Sequence, residues 1–475
     1  MRMKTKGKNI VVLLAIIFLA IAEAYSRSGG AGGAHSSGGG GGDGFGAGAL
    51  VGWLLSGSGW TGKIIVIVII IAYLIYRNKM KGNSGGTDLE SGSSEGPQGQ
   101  PAPISPEFFT ANPGFSEQGF SQKVSTAFLA IQDAWMNKNL GKVRKWISDG
   151  VYQRFTVQFT MMNMLEQTNM LSNINIRQIR IESATQEGAY SIVTASVYFS
   201  MDDNFICNKD SRFNEKFIGD TATEYWTFIK KSGVTEKDLY SSNNCPNCGY
   251  PLKNDAGQVS KCGSCGTVTY LGDYDWVLCE ITQEEDYMRG NNRISQNAPE
   301  LQPLYADTAN DFCIQMMEDK VSNAVMQYFA SETSHDLKYL HRFTDDNLFS
   351  RLEQKIKNEQ AFVFNRLFLN DVSLVNVMQA NNMWMATFNV YYSSMRLTET
   401  ANGLNKIDDT VMERLMTVTL AKKVGTVQKN KQWSFECPSC GAPYTDTTTT
   451  ECAYCSAKIN SADNDWVMVN LSEAS

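Results

Sequence analysis

A chain of 475 residues, 43% hydrophobic and 11% aromatic, is long enough for two or three domains with cores of their own and too apolar to be disordered throughout. Its net charge of −7 hides an imbalance: residues 1–84 carry nine Lys or Arg against two acids, and residues 85–475 carry 33 basic against 47 acidic side chains. So acidic a body sets nucleic acid aside as a partner, because that affinity rests on neutralising phosphates with Lys and Arg.

Arg2, Lys4, Lys6 and Lys8 precede an apolar run over residues 10–22 and then Ala22-Glu23-Ala24. That is the plan of a signal peptide cleaved after Ala24; the alternative is an uncleaved membrane helix, so residues 1–24 are read as one or the other. Residues 25–59, rich in Gly and Ser, cannot bury a core and read as an extracytoplasmic loop. A second apolar run over residues 64–76 rises only about 20 Å as a helix, short of a bilayer core of about 30 Å. Extending it back to Trp60, with Lys63 snorkelling, gives a transmembrane helix over 60–76. Arg77, Lys79 and Lys81 follow at once and place that end inside. The sequence thus predicts a protein of the bacterial cell membrane, single- or two-pass, with cytoplasmic C-terminal domains. A flexible linker over 77–111 joins them to the bilayer.

The first folded unit is expected over 112–290. Phe120, Val124, Phe128, Ile131 and Trp135 recur at helical spacing, and a second helix starts after Ser148-Asp149. The period then changes to two. Ile174, Ile176, Ile179 and Ile181 give a strand with a slip near Arg177-Gln178, a candidate bulge. Further strands are expected at 193–199, 225–229 and 276–281. After a linker at 291–310, a second unit over 311–475 repeats the order. Cys313, Met317, Val321, Ala324 and Tyr328 form its stripe, Thr344-Asp345 caps its second helix, and strands are expected at 372–377, 384–392, 412–420 and 466–471. Helices followed by a meander of strands define an α+β class: two cones, each a curved antiparallel sheet with helices on one face.

Between the third and fourth strands of each unit sits a four-cysteine cluster. The first, in 243–270, holds Cys245, Cys248, Cys262 and Cys265; the second, in 435–460, holds Cys437, Cys440, Cys452 and Cys455. Each is followed by a D-x-D-W-V strand start, at Trp276 and at Trp466. Two C-x-x-C pairs at this spacing predict one structural Zn²⁺ per cluster, two in all, in zinc ribbons. Gly after Cys248, Cys265 and Cys440 suits the knuckle turn, and Ser456 departs from it. Four thiolates close the coordination shell and leave no water to activate. The isolated Cys207, Cys279 and Cys313 are expected to be buried.

The stretch 111–159 resembles the C-terminal domain of subunit 44 of the mitochondrial inner-membrane translocase and its bacterial relatives, a cone of the nuclear-transport-factor-2 type. The resemblance rests on Phe115, Phe120, Phe128, Ile131-Gln132-Asp133-Ala134-Trp135, Leu140, Val143 and Ser148-Asp149. In the second unit it is carried by Leu337, Leu340 and Phe343. It covers about 175 residues of the first unit and implies a membrane-associated, non-enzymatic domain that holds partner proteins or contacts lipid. The duplication and the ribbons depart from that pattern.

No catalytic residues are expected. Aligning the repeats sets His335 and His341 against Lys138 and Arg144, which reads as a solvated helix face. Asp149 and Asp345 read as helix caps, and there is no P-loop, dinucleotide fingerprint or nucleophile elbow. The sequence therefore predicts a membrane-anchored scaffold or adaptor whose cones bind unidentified protein partners beside the lipid bilayer. The alternatives are a lipid-binding or lipid-transport protein that uses its cone cavities, drawn from the methionines at 161, 162, 164 and 170, and a zinc-ribbon regulator of membrane machinery.

Overall fold

Three serines start the first three helices. Ser105 accepts from the Phe108 N–H, with Pro106 at the first position of α1 (Pro106–Ala111). Ser116 caps α2 (Glu117–Met136) through the Gly119 N–H, and Ser148 caps α3 (Asp149–Met164) through the Val151 N–H. Each oxygen satisfies an N–H that the helix cannot. The computed structural model describes residues 101–473 apart from 254–257, 290–292, 309–311, 402, 427–435, 443 and 445–447. The expected signal segment, outer loop and transmembrane helix lie outside these residues. Among the described residues no helix is long and apolar enough to cross a membrane.

The α2 stripe is buried along its whole length. It packs on an antiparallel meander of β1 (Gln167–Glu187), β2 (Tyr190–Cys207), β3 (Glu215–Lys231) and β4 (Val277–Gln283). The β1 register shifts three times, once between Ile176 and Gln178 where the sequence slips, and each bulge bends the sheet around α2. A short α4 (Glu284–Arg289) closes the first module.

The second module repeats this order: α5 (Gln302–Asp307), α6 (Ile314–Ser334), α7 (Asp346–Asn358), then β5 (Val363–Ala380), β6 (Met383–Thr400), β7 (Gly403–Lys406), β8 (Met412–Lys423) and β9 (Val467–Glu473). Its sheet runs β5-β6-β8-β9, with β7 an added strand beside β6. Both long hairpins turn in two residues. Gly188 has φ 55° in the first; Asn381 and Asn382 have φ 50° and 62° in the second, the left-handed turn such hairpins need.

The duplication holds at single contacts. Lys123 on α2 pairs with Asp275 just before β4, and Lys320 on α6 pairs with Asp465 at 2.7 Å just before β9. Ile147 bridges Leu278 in parallel, as Thr344 bridges Met468. The rings of Phe115 and Trp276 lie 6.1 Å apart, as do those of Phe312 and Trp466.

Two segments expected as linker are partly structured. α1, inside 77–111, buries Phe108 against Phe115; α5, inside 291–310, buries Leu304 and Tyr305, with Tyr305 against Phe312. Each is too short to show a helical stripe. Asp149 is not a cap: Ser148 caps α3, and Asp149 is its first residue. Asp345 does cap α7.

The modules meet where α3 lies along α6. A Cβ on Gly150 would come within 2.2 Å of Asp319 Oδ1 and 2.6 Å of the Asp319 carbonyl oxygen. Asp319 accepts from the Ser148 hydroxyl and from the Gly150 N–H at 3.1 Å. In the other direction, Glu187 at the end of β1 accepts from the Ile314 N–H at 2.8 Å and from the Tyr305 hydroxyl at 2.6 Å. Arg154 donates to Ser322 Oγ at 2.7 Å, and Gln158 to the Leu367 carbonyl at 2.8 Å. Arg293, from the connecting segment, reaches Asp371 and lies 3.7 Å from Glu280 and 3.8 Å from Glu318.

Gly150→Ala destabilises the protein by about 1–3 kcal/mol in urea unfolding. Gly114→Ala, with nothing within 4 Å of the new carbon, stays within about 0.5 kcal/mol of the parent. Burial pushes the Asp319 carboxyl up to about 7. Its stabilising contribution is therefore complete below the ordinary carboxylate range and is lost as pH rises through 7. Thermal unfolding of Asp319→Asn accordingly shows a flatter fall in stability between about pH 4 and about pH 7, by at most ~1.4 kcal/mol per pH unit for the single proton removed.

Candidate metal centres

All eight predicted cysteines converge in two clusters of four, within which every Sγ lies within 4.8 Å of the others. Four identical knuckles bring them there. In each, the N–H of the first cysteine donates to the carbonyl five residues on, and its own carbonyl accepts from the residue four on. The first bond is 2.8 Å from Cys245 to Tyr250, from Cys262 to Thr267 and from Cys437 to Ala442, and 2.9 Å from Cys452 to Ala457. The residue after the second cysteine is left-handed in every knuckle: Gly249, Gly266 and Gly441 at φ 74°, 74° and 83°, and Ser456 at φ 56°.

The sulfur spacing fits a tetrahedral metal site. Cys245–Cys265, Cys248–Cys262, Cys437–Cys455 and Cys440–Cys452 are each 3.7 Å apart. A regular tetrahedron with metal–sulfur bonds of about 2.3 Å has edges of about 3.8 Å, the zinc–thiolate value. A disulfide needs about 2.05 Å. The first cysteine of each knuckle is buried and the second is exposed, so each site is half-sunk in its ribbon. The donor set fits Zn²⁺, which when bound would crosslink a loop that has little apolar core of its own.

Each ribbon is fastened to the loop that starts its module's second helix. In the first module Lys145 donates to the Ser242 carbonyl at 2.7 Å and Arg144 Nε to the Gln258 carbonyl at 2.8 Å. Trp146 stacks on Tyr240, 4.9 Å between centroids. In the second, Asp346 accepts from Lys458 at 2.8 Å and from Asn460 at 3.0 Å, and these partners with His341 hold its carboxyl down to about 2. Arg342 lies 4.4 Å over the ring of Tyr444.

Of the four positions expected on a solvated face, His335 is exposed, Lys138 and His341 are half-buried, and Arg144 departs from the expectation. Arg144 is fully buried, paired with Asp149 and stacked 3.5 Å over Tyr270. Lys138, two residues past α2, and His335, the C-cap of α6, are left-handed at φ 49° and 55°. His341 stacks on Phe349, 3.8 Å between centroids. Cys207, Cys279 and Cys313 are buried as expected. Sequence reasoning missed the Lys123–Asp275 and Lys320–Asp465 pairs. Their signal was present: a Lys three residues after Phe120 and after Met317, and an Asp before the Trp of both D-x-D-W stretches.

The fold and sites define an α+β protein of two helix-and-sheet modules, each carrying a four-cysteine ribbon. Within it, residues 106–240 match the Tim44-like domain family, over α1–α3 and the first three strands of the first module. The comparison with curated proteins returns no match.

Cys245→Ser and Cys437→Ser each lower the zinc count by one in a native mass spectrum, and the double variant holds none. Losing sites of roughly 10–16 kcal/mol apparent strength unfolds the ribbons. The module cores remain, because no ribbon cysteine belongs to a core cluster.

Proposed function

We propose that the protein is a membrane-anchored, non-enzymatic scaffold that holds protein partners beside the bilayer. The observation that carries this reading is the filling of the cones by their own side chains. In the first, Phe128 meets Phe199 at 4.8 Å and Trp226 at 5.5 Å, and Phe120 meets Phe228 and Trp276, each at 5.3 Å. In the second, Phe329 meets Tyr392 at 4.7 Å and Phe364 at 5.2 Å. At the module boundary, a void lined by Trp135, Met161, Met162 and Arg366 measures about 20 Å³, room for one water. The carboxyls displaced upward at the module boundary, Glu187, Glu318 and Asp319, are engaged in caps and ion pairs, which supports a structural role over acid–base chemistry. Membrane anchoring rests on residues 1–81 of the sequence and on the match to the Tim44-like family. Tethering would raise the effective concentration of a membrane-proximal partner.

A lipid-handling reading draws on one feature, a groove of about 210 Å³ between α3 and α6 lined by Met161, Met164, Ala330 and Tyr339. It is smaller than the ~300–1,000 Å³ of ordinary small-molecule sites. Chemical cross-linking of the full chain in intact membranes, followed by native mass spectrometry of the extracted protein, separates the two. The scaffold predicts a discrete cross-linked protein and a mass of chain plus two zinc. A stoichiometric lipid mass overturns it in favour of lipid handling, and recovery of the full chain in the soluble fraction overturns the anchoring.

A further inference from the structure

The two metal centres share a backbone plan but differ at one sulfur. Cys265, last ligand of the first ribbon, has the Thr267 hydroxyl 3.1 Å from its Sγ and the Asn247 amide nitrogen at 3.8 Å, and Asn247 also donates to Thr267 at 3.1 Å. Cys455 is its counterpart. Where the first ribbon has Thr267 the second has Ala457, which offers no hydroxyl, and where it has Asn247 the second has the shorter Ser439. Cys455 Sγ lies 3.7 Å from the sulfur of Cys437 and within 4.8 Å of the other two cluster sulfurs, and among the described residues no hydroxyl or amide side chain donates to it. The turn behind it is also worse: Gly266 takes φ 74° freely, whereas Ser456 is held at φ 56°, where a side chain is strained. Both sulfurs are exposed.

Hydrogen bonds to a metal-bound thiolate draw off charge and lower its reactivity, and outer contacts of this kind tune metal affinity. We propose that Cys455 is the oxidant-reactive thiolate of this protein, so that peroxide ejects zinc from the second ribbon before the first. The Cys455 sulfur attacks one oxygen of hydrogen peroxide. The O–O bond breaks, leaving a sulfenic acid and a hydroxide that takes a proton to become water. The Cys437 thiolate then attacks the sulfenic sulfur, forms the S–S bond and expels a second hydroxide, also protonated. Two thiolates give up two electrons, peroxide becomes two waters, and Zn²⁺ leaves a site reduced to two thiolates. Exposure alone does not set this order, since the first ribbon presents Cys248 and Cys265 just as openly.

The proposal rests on the zinc reading, and one experiment reports on both. The full chain, purified without chelator, is titrated with hydrogen peroxide; zinc is counted by native mass spectrometry, and the blocked cysteines are mapped by alkylation and peptide analysis. Two zinc before peroxide supports the metal reading, and none overturns both. A one-zinc intermediate with Cys437 and Cys455 blocked and Cys245–Cys265 still alkylatable after zinc stripping is the expected result. Thr267→Ala speeds zinc loss from the first ribbon roughly tenfold, and Ala457→Thr slows it at the second by a similar factor. Simultaneous loss, first-ribbon loss, or a Thr267→Ala rate equal to the parent's overturns the order proposed. Should Ala457→Thr fail to fold, the Thr267→Ala arm decides alone.

Discussion

The start of α6 has no cap of its own. Cys313 stands at the capping position and makes no side-chain bond there, so the exposed N–H groups and partial positive charge of a buried helix end must be met from elsewhere. Glu187, from the last position of β1 in the other module, meets them through the Ile314 N–H. Asp319, one turn further along α6, returns the arrangement by taking the Gly150 N–H at the start of α3. Each module thus supplies a carboxyl group to the start of the other's helix. Gly150 is what lets the two helices approach closely enough for the exchange, since any side chain there would collide with Asp319.

This boundary also explains part of the acidity of the folded region. Glu187, Glu280, Glu318, Asp319 and Asp371 are all buried at it, and Arg154 and Arg293 are the cations set among them. Buried ion pairs seldom add net stability, because desolvation offsets their attraction, but a wrong register would strand charges at much greater cost. Arg293 comes from the segment that joins the modules and touches carboxylates of both. Arg293 is thereby fixed to the boundary at this point of the connection.

Much of the fold was legible because local signals agreed. The α2 stripe, the bulge near Gln178, the caps at Ser148 and Asp345, and the ribbons between the third and fourth strands each follow from a spacing of two, three or four residues, or from a C-x-x-C pair. The strands run far longer than their apolar cores suggested; β1 spans 21 residues, many of them polar, because pairing with β2 rather than burial extends it. α1 and α5 escaped notice because six residues cannot display a helical period. Arg144 was misread for a different reason. Its burial depends on Asp149, Tyr152 and Tyr270, a set that only the folded ribbon assembles, and no pattern in the chain marks an arginine that will be stacked rather than solvated.

That arginine ties the metal centre to the module boundary. Arg144 donates to the Gln258 carbonyl in the first ribbon and pairs with Asp149, which immediately precedes the glycine that abuts Asp319. An unbroken run of packed polar contacts therefore leads from ribbon to ribbon-side loop, to the start of α3, to α6 of the next module. The second ribbon is tied to its own module's matching loop by Asp346 and Arg342. A ribbon stiffened by zinc would fix the residues that position α3. The first ribbon is thus tied through Arg144 to the joint between the two modules rather than standing as an independent appendage.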